Sequence, residues 1–246
     1  MDDPSDGVEV IFEDDQLIGL VKPAGLPTAN APRGAASVYA WLRRRLGPTA
    51  FVGIVSRLDA PVSGVLVVAK TSAAAADLAG QFRDRVVEKR YVAVVEGRFP
   101  APLEQWVDWH DAIARRPDEP RSTIRHAAAC DAGPDSQDDD DEARGFAARP
   151  AHVRARVVRR AGEVSLVELE PSTGRRHQLR VQLASRGCPI VGDRLYGARL
   201  PCPSGIALHA RSLRITHPGT GAMVLLETAW PTWWGMRFPA VCRPAR

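Results

Sequence analysis

Residues 51–70 read Phe51-Val52-Gly53-Ile54-Val55-Ser56-Arg57-Leu58-Asp59-Ala60-Pro61-Val62-Ser63-Gly64-Val65-Leu66-Val67-Val68-Ala69-Lys70. Two apolar runs, Phe51 to Val55 and Val65 to Ala69, have the length and β-branched content of buried strands. Between them lies a polar, turn-rich segment in which Arg57 and Asp59 flank Leu58. A guanidinium and a carboxylate presented on a short loop between two buried strands are a common way to build a site. Taken alone, an Asp in such a turn reads more readily as a residue bonded to its own backbone.

Working outward, Val8 to Phe12 and Leu17 to Val21 look like strands joined by the acidic turn Glu13-Asp14-Asp15, and Lys22-Pro23-Ala24-Gly25-Leu26-Pro27 then breaks regular structure. Ser37 can cap a helix to about Leu46, and Ser72 an alanine-rich helix to about Arg85. Glu88 to Gly97 alternates as a strand with Tyr91, Ala93 and Val95 on one face, where Tyr91 reads as packing. From about Pro100 to Pro150 no periodic pattern survives. A hairpin follows (Val153 to Val158, Val164 to Leu169), then a helix from Arg175 to Ser185, then strands Leu208 to Thr216 and Met223 to Ala229. Many short strands, few helices and hairpin connections predict an α+β fold around a largely antiparallel sheet, not a doubly wound parallel one.

The 246 residues are 45% hydrophobic and 25% charged, which excludes disorder as the dominant state. No apolar run approaches the ~18–20 residues of a membrane span, and the opening Met1-Asp2-Asp3-Pro4 has no apolar signal core. Cys130, Cys188, Cys202 and Cys242 form no C-x-x-C pair, which disfavours zinc ribbons, redox motifs and a disulfide framework. Phosphate-binding, dinucleotide-binding, serine-hydrolase and zincin strings are missing as well. A soluble, cytoplasmic protein is expected.

Net charge is +4, yet residues 131–145 alone carry −6, so the remainder is strongly basic. That acidic stretch reads as a disordered surface loop. Of 33 basic residues only Lys22, Lys70 and Lys89 are lysine. An arginine-rich body suits phosphate and stacked-base partners. A GC-rich genome would spell the same composition, and composition alone does not separate the two.

Thr173-Gly174-Arg175-Arg176-His177-Gln178-Leu179-Arg180 crowds donors into what reads as the first turns of a helix. Cations there oppose the helix dipole, a conflict that a bound phosphate or carboxylate would resolve. A solvated basic face is the alternative. His110, His126, His152, His209 and His217 show no ligand spacing and read as structural or surface residues; Trp233-Trp234 reads as core or lid.

Taken together, these strings resemble the RluA-type family of RNA pseudouridine synthases. Ser56-Arg57-Leu58-Asp59 through Ser63-Gly64 to Lys70 is similar to H-R-L-D-x-x-T-S-G-L-L-L-x-A-K, and Lys89 to Gly97 to K-x-Y-x-A-x-V-x-G. Gly174 to Val181 resembles G-R-T-H-Q-L-R-V, and Pro189 to Gly197 resembles P-I-x-G-D-x-x-Y-G. Leu208 to Pro218 resembles L-H-A-x-x-L-x-x-x-H-P, and Lys22 to Leu26 resembles K-P-x-G-L. Six motifs in order, at family-like spacing, are far more specific than any one of them.

The resemblance implies a single catalytic domain over 8–238, a largely antiparallel mixed sheet flanked by helices, with no S4 RNA-binding module. It implies that Asp59 is the nucleophile, attacking either C6 of uracil or C1′ of the ribose. Arg180 would pair with Asp59, Tyr91 would stack on the uracil, and Arg57 would hold the flipped nucleotide. Arg175, Arg176 and His177 would contact RNA backbone. No cofactor or metal is implied; the partner is structured tRNA or rRNA, and a monomer is expected. Departures are Ser56 for His, Val62 for Thr, Arg176 for Thr, Gln182 for the second His of R-V-H, and Pro27-Thr28-Ala29 where V-H-P is usual. A noncatalytic RNA-binding protein with a drifted site is the second hypothesis. An unrelated Asp-nucleophile hydrolase is a third, which lacks a second acid or base near Asp59.

Overall fold

The computed structural model describes residues 5–32, 34–115, 119–125 and 148–242. The acidic segment 131–145, Cys130 and His126 lie outside them. The strands are β1 (Glu9–Glu13), β2 (Leu17–Lys22), β3 (Gly53–Ile54), β4 (Ser63–Ala69), β5 (Glu88–Glu96), β6 (Trp106–Arg115), β7 (Ser122–Arg125), β8 (Arg149–Ala161), β9 (Val164–Pro171), β10 (Leu208–Thr216) and β11 (Met223–Glu227). The principal helices are α1 (Val38–Leu46), α2 (Ser72–Arg83) and α3 (Gln178–Ala184), with short helical turns at Thr232–Arg237 and Pro239–Cys242. The architecture is α+β, and every strand pairing described below is antiparallel except one.

The described residues divide into two compact units, one built from 1–92 and 202–237, the other from 93–201 and the C-terminal residues. β5 begins in the first and ends in the second.

In the first unit β4 is buried at all seven residues, as its unbroken apolar run predicts. β2 pairs with it antiparallel from Leu17↔Ala69 to Lys22↔Gly64. β10 lies on its other side, parallel, at His209↔Ser63 and Ala210↔Gly64. β1 extends the sheet from β2, β11 from β10, and β3 makes two pairs with the end of β4. Only Gly53 and Ile54 of the predicted Phe51 to Val55 strand are extended, and Phe51 is exposed. Leu17, Val65, Val67, Leu78, Leu213 and Leu226 share one core cluster, over which α2 packs. α1 begins where Ser37 Oγ accepts from the Ala40 amide (3.0 Å). For α2 the cap is Thr71 rather than Ser72, its Oγ1 accepting from the Ala74 amide at 3.1 Å.

In the second unit β9, β8, β6 and β7 form an antiparallel run. β6 and β7 occupy part of the stretch that showed no pattern in the sequence. The period of two is present in β6, with Trp109, Asp111 and Ile113 all buried, but the inward polar Asp111 hides it. Asp111 is accommodated because Gln182 Nε2 donates to it at 2.7 Å and Arg186 pairs with it at 3.1 Å.

The helix expected from Arg175 starts three residues later. His177 has left-handed backbone angles (φ 55, ψ 21) and ends the lead-in loop. Gln178 Oε1 accepts from the Arg175 amide (3.0 Å) and from Thr173 Oγ1 (2.8 Å), closing that loop on itself. Arg175 and Arg176 therefore precede α3, and of the predicted cations only Arg180, which is paired with Asp193, stands in its first turn.

Candidate active site

Asp59 stands in the loop 55–62 between β3 and β4, and that loop is gripped through its main chain. Thr28 Oγ1 donates to the Leu58 carbonyl (2.9 Å) and accepts from the Leu58 amide (3.2 Å). The Ala60 carbonyl accepts from the Gly25 amide at 2.8 Å and from Lys22 Nζ at 3.1 Å. The Val62 amide donates to the Asp59 carbonyl, closing a turn at 3.0 Å, and the Ile206 amide donates to the Pro61 carbonyl at 3.0 Å. Leu58 points inward, at 8% exposure, whereas Arg57 is exposed and Asp59 half-buried. Arg57 is thus turned to solvent, while Asp59 stays partly covered.

Close packing fixes the ends of the loop. At Gly205 (φ +63) a Cβ would lie 2.2 Å from the Pro61 carbonyl oxygen, and at Gly64 (φ +118) one would lie 2.3 Å from the Ala210 oxygen. Both positions require glycine. Next to Gly64, Ser63 Oγ lies 2.8 Å from His209 Nδ1, and burial pulls that imidazole down to about 4.

Lys22 has no exposed surface, and its ammonium donates to the carbonyls of Pro23 (2.9 Å), Leu26 (2.7 Å) and Ala60 (3.1 Å). Burial pulls Lys22 down to about 7, and the negative charge of Asp59 pulls the other way. Tyr91, on β5, is half-buried in the same unit. Burial pushes its phenol well above the ordinary range, and Asp59 adds to that shift, so the ring stays neutral at physiological pH. The charge of Asp59 thus acts on both Lys22 and Tyr91.

Arg180 belongs to the second unit, in α3. It makes a bidentate pair with Asp193, Nε to Oδ2 at 2.7 Å and Nη2 to Oδ1 at 2.8 Å, with both residues buried. Its guanidinium carbon stands 5.1 Å from the centre of the Tyr196 ring. The Tyr196 hydroxyl accepts from the Ser122 amide (2.8 Å) and lies 2.9 Å from His177 Nδ1. Arg175 Nε donates to the Pro150 carbonyl at 2.9 Å, and the Arg176 carbonyl accepts from Ser122 Oγ at 2.9 Å. The 173–177 lead-in is therefore a folded loop locked by Gln178 and by Pro150, Ser122 and Tyr196.

Two of the departures from the family strings are packing residues: Val62 is 3% exposed, and Gln182 is wholly buried against Asp111. The sequence reading missed Thr28 as an anchor, treating it only as a departure, and missed the burial of Lys22 and the Arg180–Asp193 pair. Thr28 with Leu58, Lys22 with Ala60 and Arg180 with Asp193 are pairs distant in sequence, which carry no local signal. Trp234 is fully buried, which settles its role as core. Among the described cysteines, Cys188, Cys202 and Cys242 are free thiols. His110 and His152, which showed no ligand spacing along the chain, are brought together with Asp108.

The family profile described as RNA pseudouridylate synthase matches residues 16–185. The chain is 34% identical over 239 residues to "Ribosomal large subunit pseudouridine synthase D" of Nitrosomonas europaea, an alignment covering 91% of this chain and 62% of that protein. It is 36% identical over 218 residues to "Dual-specificity RNA pseudouridine synthase RluA" of Escherichia coli O157:H7, covering 86% of this chain and 88% of that one. Its fold superposes on the solved structure "Human RNA Pseudouridylate Synthase Domain Containing 4" with a TM-score of 0.70 at 23% identity, covering 94% and 92% of the two chains. With the six ordered motifs and the α+β fold, these matches establish that the chain belongs to the RluA-type family of RNA pseudouridine synthases, isomerases whose substrate is RNA.

Proposed function

We propose that residues 8–238 act as one catalytic domain that converts specific uridines to pseudouridine in structured tRNA or rRNA, with Asp59 as the nucleophile. The observation that carries this reading is the fixed presentation of Asp59. Its neighbours Leu58 and Ala60 are held by Thr28, Gly25 and Lys22, so the carboxylate is aimed before substrate arrives. A relative named for the large ribosomal subunit puts rRNA among the candidate substrates.

In the proposed reaction Asp59 attacks C6 of the uracil or C1′ of the ribose as the C1′–N1 bond breaks. The base rotates, C1′ bonds to C5, the bond to Asp59 breaks to restore the carboxylate, and the C5 proton leaves for water while N1 regains a proton. No electrons are exchanged with a co-reactant. The neutral Tyr91 ring is suited to stack on the flipped base, whose extraction from the helix is required before its edge is reachable. Arg180, oriented by its bidentate pair with Asp193, is the third catalytic residue of this reading. Arg57, Arg175, Arg176 and His177 contact the RNA backbone. The enzyme works as a monomer in the cytoplasm.

The test uses tRNA and rRNA transcripts labelled with tritium at uridine C5. Release of label by the native chain and none by Asp59→Asn supports the reading. Salt-sensitive binding without release from any RNA would favour the drifted RNA-binding protein, and equal release by both proteins would remove Asp59 from the mechanism.

A further inference from the structure

On β6 and β8, away from the family motifs, Asp108, His110 and His152 place one ligand atom each within 4.8 Å of one another. The register explains the grouping. His110 is directly opposite His152 across the strand pair, and Asp108, two residues from His110, shares its face. The two imidazole rings stack with centroids 4.3 Å apart and planes 19° apart. His152 Nε2 lies 2.9 Å from Asp108 Oδ1.

The central histidine is held rigidly. Its Nδ1 is engaged by Ser172 Oγ at 2.8 Å, which leaves Nε2 to face Asp108. Its amide donates to Thr173 Oγ1 (2.9 Å), and its carbonyl accepts from Gln178 Nε2 (3.0 Å) and the Ser172 amide (3.2 Å). A metal-binding histidine is characteristically held this way, one nitrogen bonded to an outer partner and the other offered to the ion. Asp108 and His110 are exposed and can rotate inward. Arg154, opposite Asp108, is the nearby competing cation, but Glu170 pairs with it at 3.3 Å and it leans on the Trp106 ring at 4.9 Å.

We propose that Asp108, His110 and His152 form a binding site for a divalent transition-metal ion of the zinc class. Two imidazoles and one carboxylate are borderline donors that prefer zinc, cobalt, nickel or copper to magnesium or calcium. Three protein ligands leave at least one position for water. With bonds of about 2.0–2.1 Å, tetrahedral ligand atoms stand about 3.3 Å apart, so the ligand atoms close from within 4.8 Å and the exposed His110 ring turns out of its stack on His152 to bring a nitrogen lone pair onto the ion. Binding takes the neutral His152 ring with its one proton on Nδ1, donated to Ser172 Oγ, so that the Nε2 lone pair faces the ion. The ion would clamp β6 to β8 beside the loop that leads into α3. Proposed catalysis at Asp59 needs no metal, so this site is independent of that reading.

The test is titration of the chelator-treated full chain with Zn²⁺ by calorimetry and with Co²⁺ by visible absorption. The expected result is saturable binding of one ion, weakened by His110→Ala and by His152→Ala more than about 10-fold, the least that losing even an outer partner costs. Should His152→Ala not fold, as judged by its melting curve without metal, the exposed His110→Ala decides. No saturable binding by the native chain, or binding undiminished by His110→Ala, overturns the proposal.

Discussion

The Thr28 hydroxyl and the Leu58 peptide exchange two hydrogen bonds, the side chain donating to the carbonyl at 2.9 Å and accepting from the amide at 3.2 Å. Both residues are buried, so neither backbone group has water as an alternative. One hydroxyl thus does the work of a missing β-ladder, one residue before Asp59.

Replacing that hydroxyl with a methyl group of the same shape should therefore cost more than its size suggests. Thr28→Val is expected to lose about 2 kcal/mol of stability in denaturant unfolding, because two buried backbone groups lose their partner. Turnover in the tritium assay should fall about 10- to 100-fold with little change in RNA affinity. Native turnover would show that the loop is held without Thr28.

Asp193→Ala should destabilise the protein by about 3–5 kcal/mol, since it leaves the Arg180 charge in a buried setting without its bidentate carboxylate. Arg180→Met, which removes the charge but keeps the bulk, should cost less stability and yet abolish tritium release. The order of the two melting temperatures checks the first statement, and the assay checks the second.

Gly205→Ala should be far more harmful than Gly162→Ala, although both positions have positive φ. At Gly162 a Cβ meets nothing within 4 Å, so the cost is the left-handed backbone alone, about 1 kcal/mol. At Gly205 the Cβ must displace the Pro61 carbonyl, which should add at least about 1 kcal/mol more and slow turnover by shifting the Asp59 loop. Equal unfolding midpoints for the two variants would contradict this.

The buried His209 should shape the acid limb of stability. Its ordinary value of 6.5 is lowered to about 4 in the fold, so the unfolded chain binds the proton more readily. The stability it lends is complete above 6.5 and is lost as pH falls toward 4. Between about pH 7 and pH 5 the loss should reach about 2 kcal/mol. His209→Gln should show a flatter profile over that interval; an unchanged slope would place the transition elsewhere.

What could be read from the chain alone follows a physical division. β2, β4, α1 and the β10–β11 hairpin were legible because their apolar spacing and caps are local properties. β6 was not, because Asp111 faces inward and its partners Gln182 and Arg186 lie some seventy residues away. The start of α3 was misplaced because His177 adopts a left-handed backbone that no helix signal announces. Asp59 could be located from the family strings, but the Lys22 and Thr28 contacts that aim it are long-range. The Asp108–His110–His152 grouping is invisible in sequence for the same reason, since it depends on strand register.

Every anchor described for the Asp59 loop grips peptide groups: Leu58 by Thr28, Ala60 by Lys22 and Gly25, and Pro61 by Ile206. The scaffold thus stores the position of the carboxylate in residues outside the loop. The exposed side chain of Arg57 carries none of those tethers. Location and surface chemistry are therefore separately adjustable: Arg57 can be substituted while the carboxylate keeps its address.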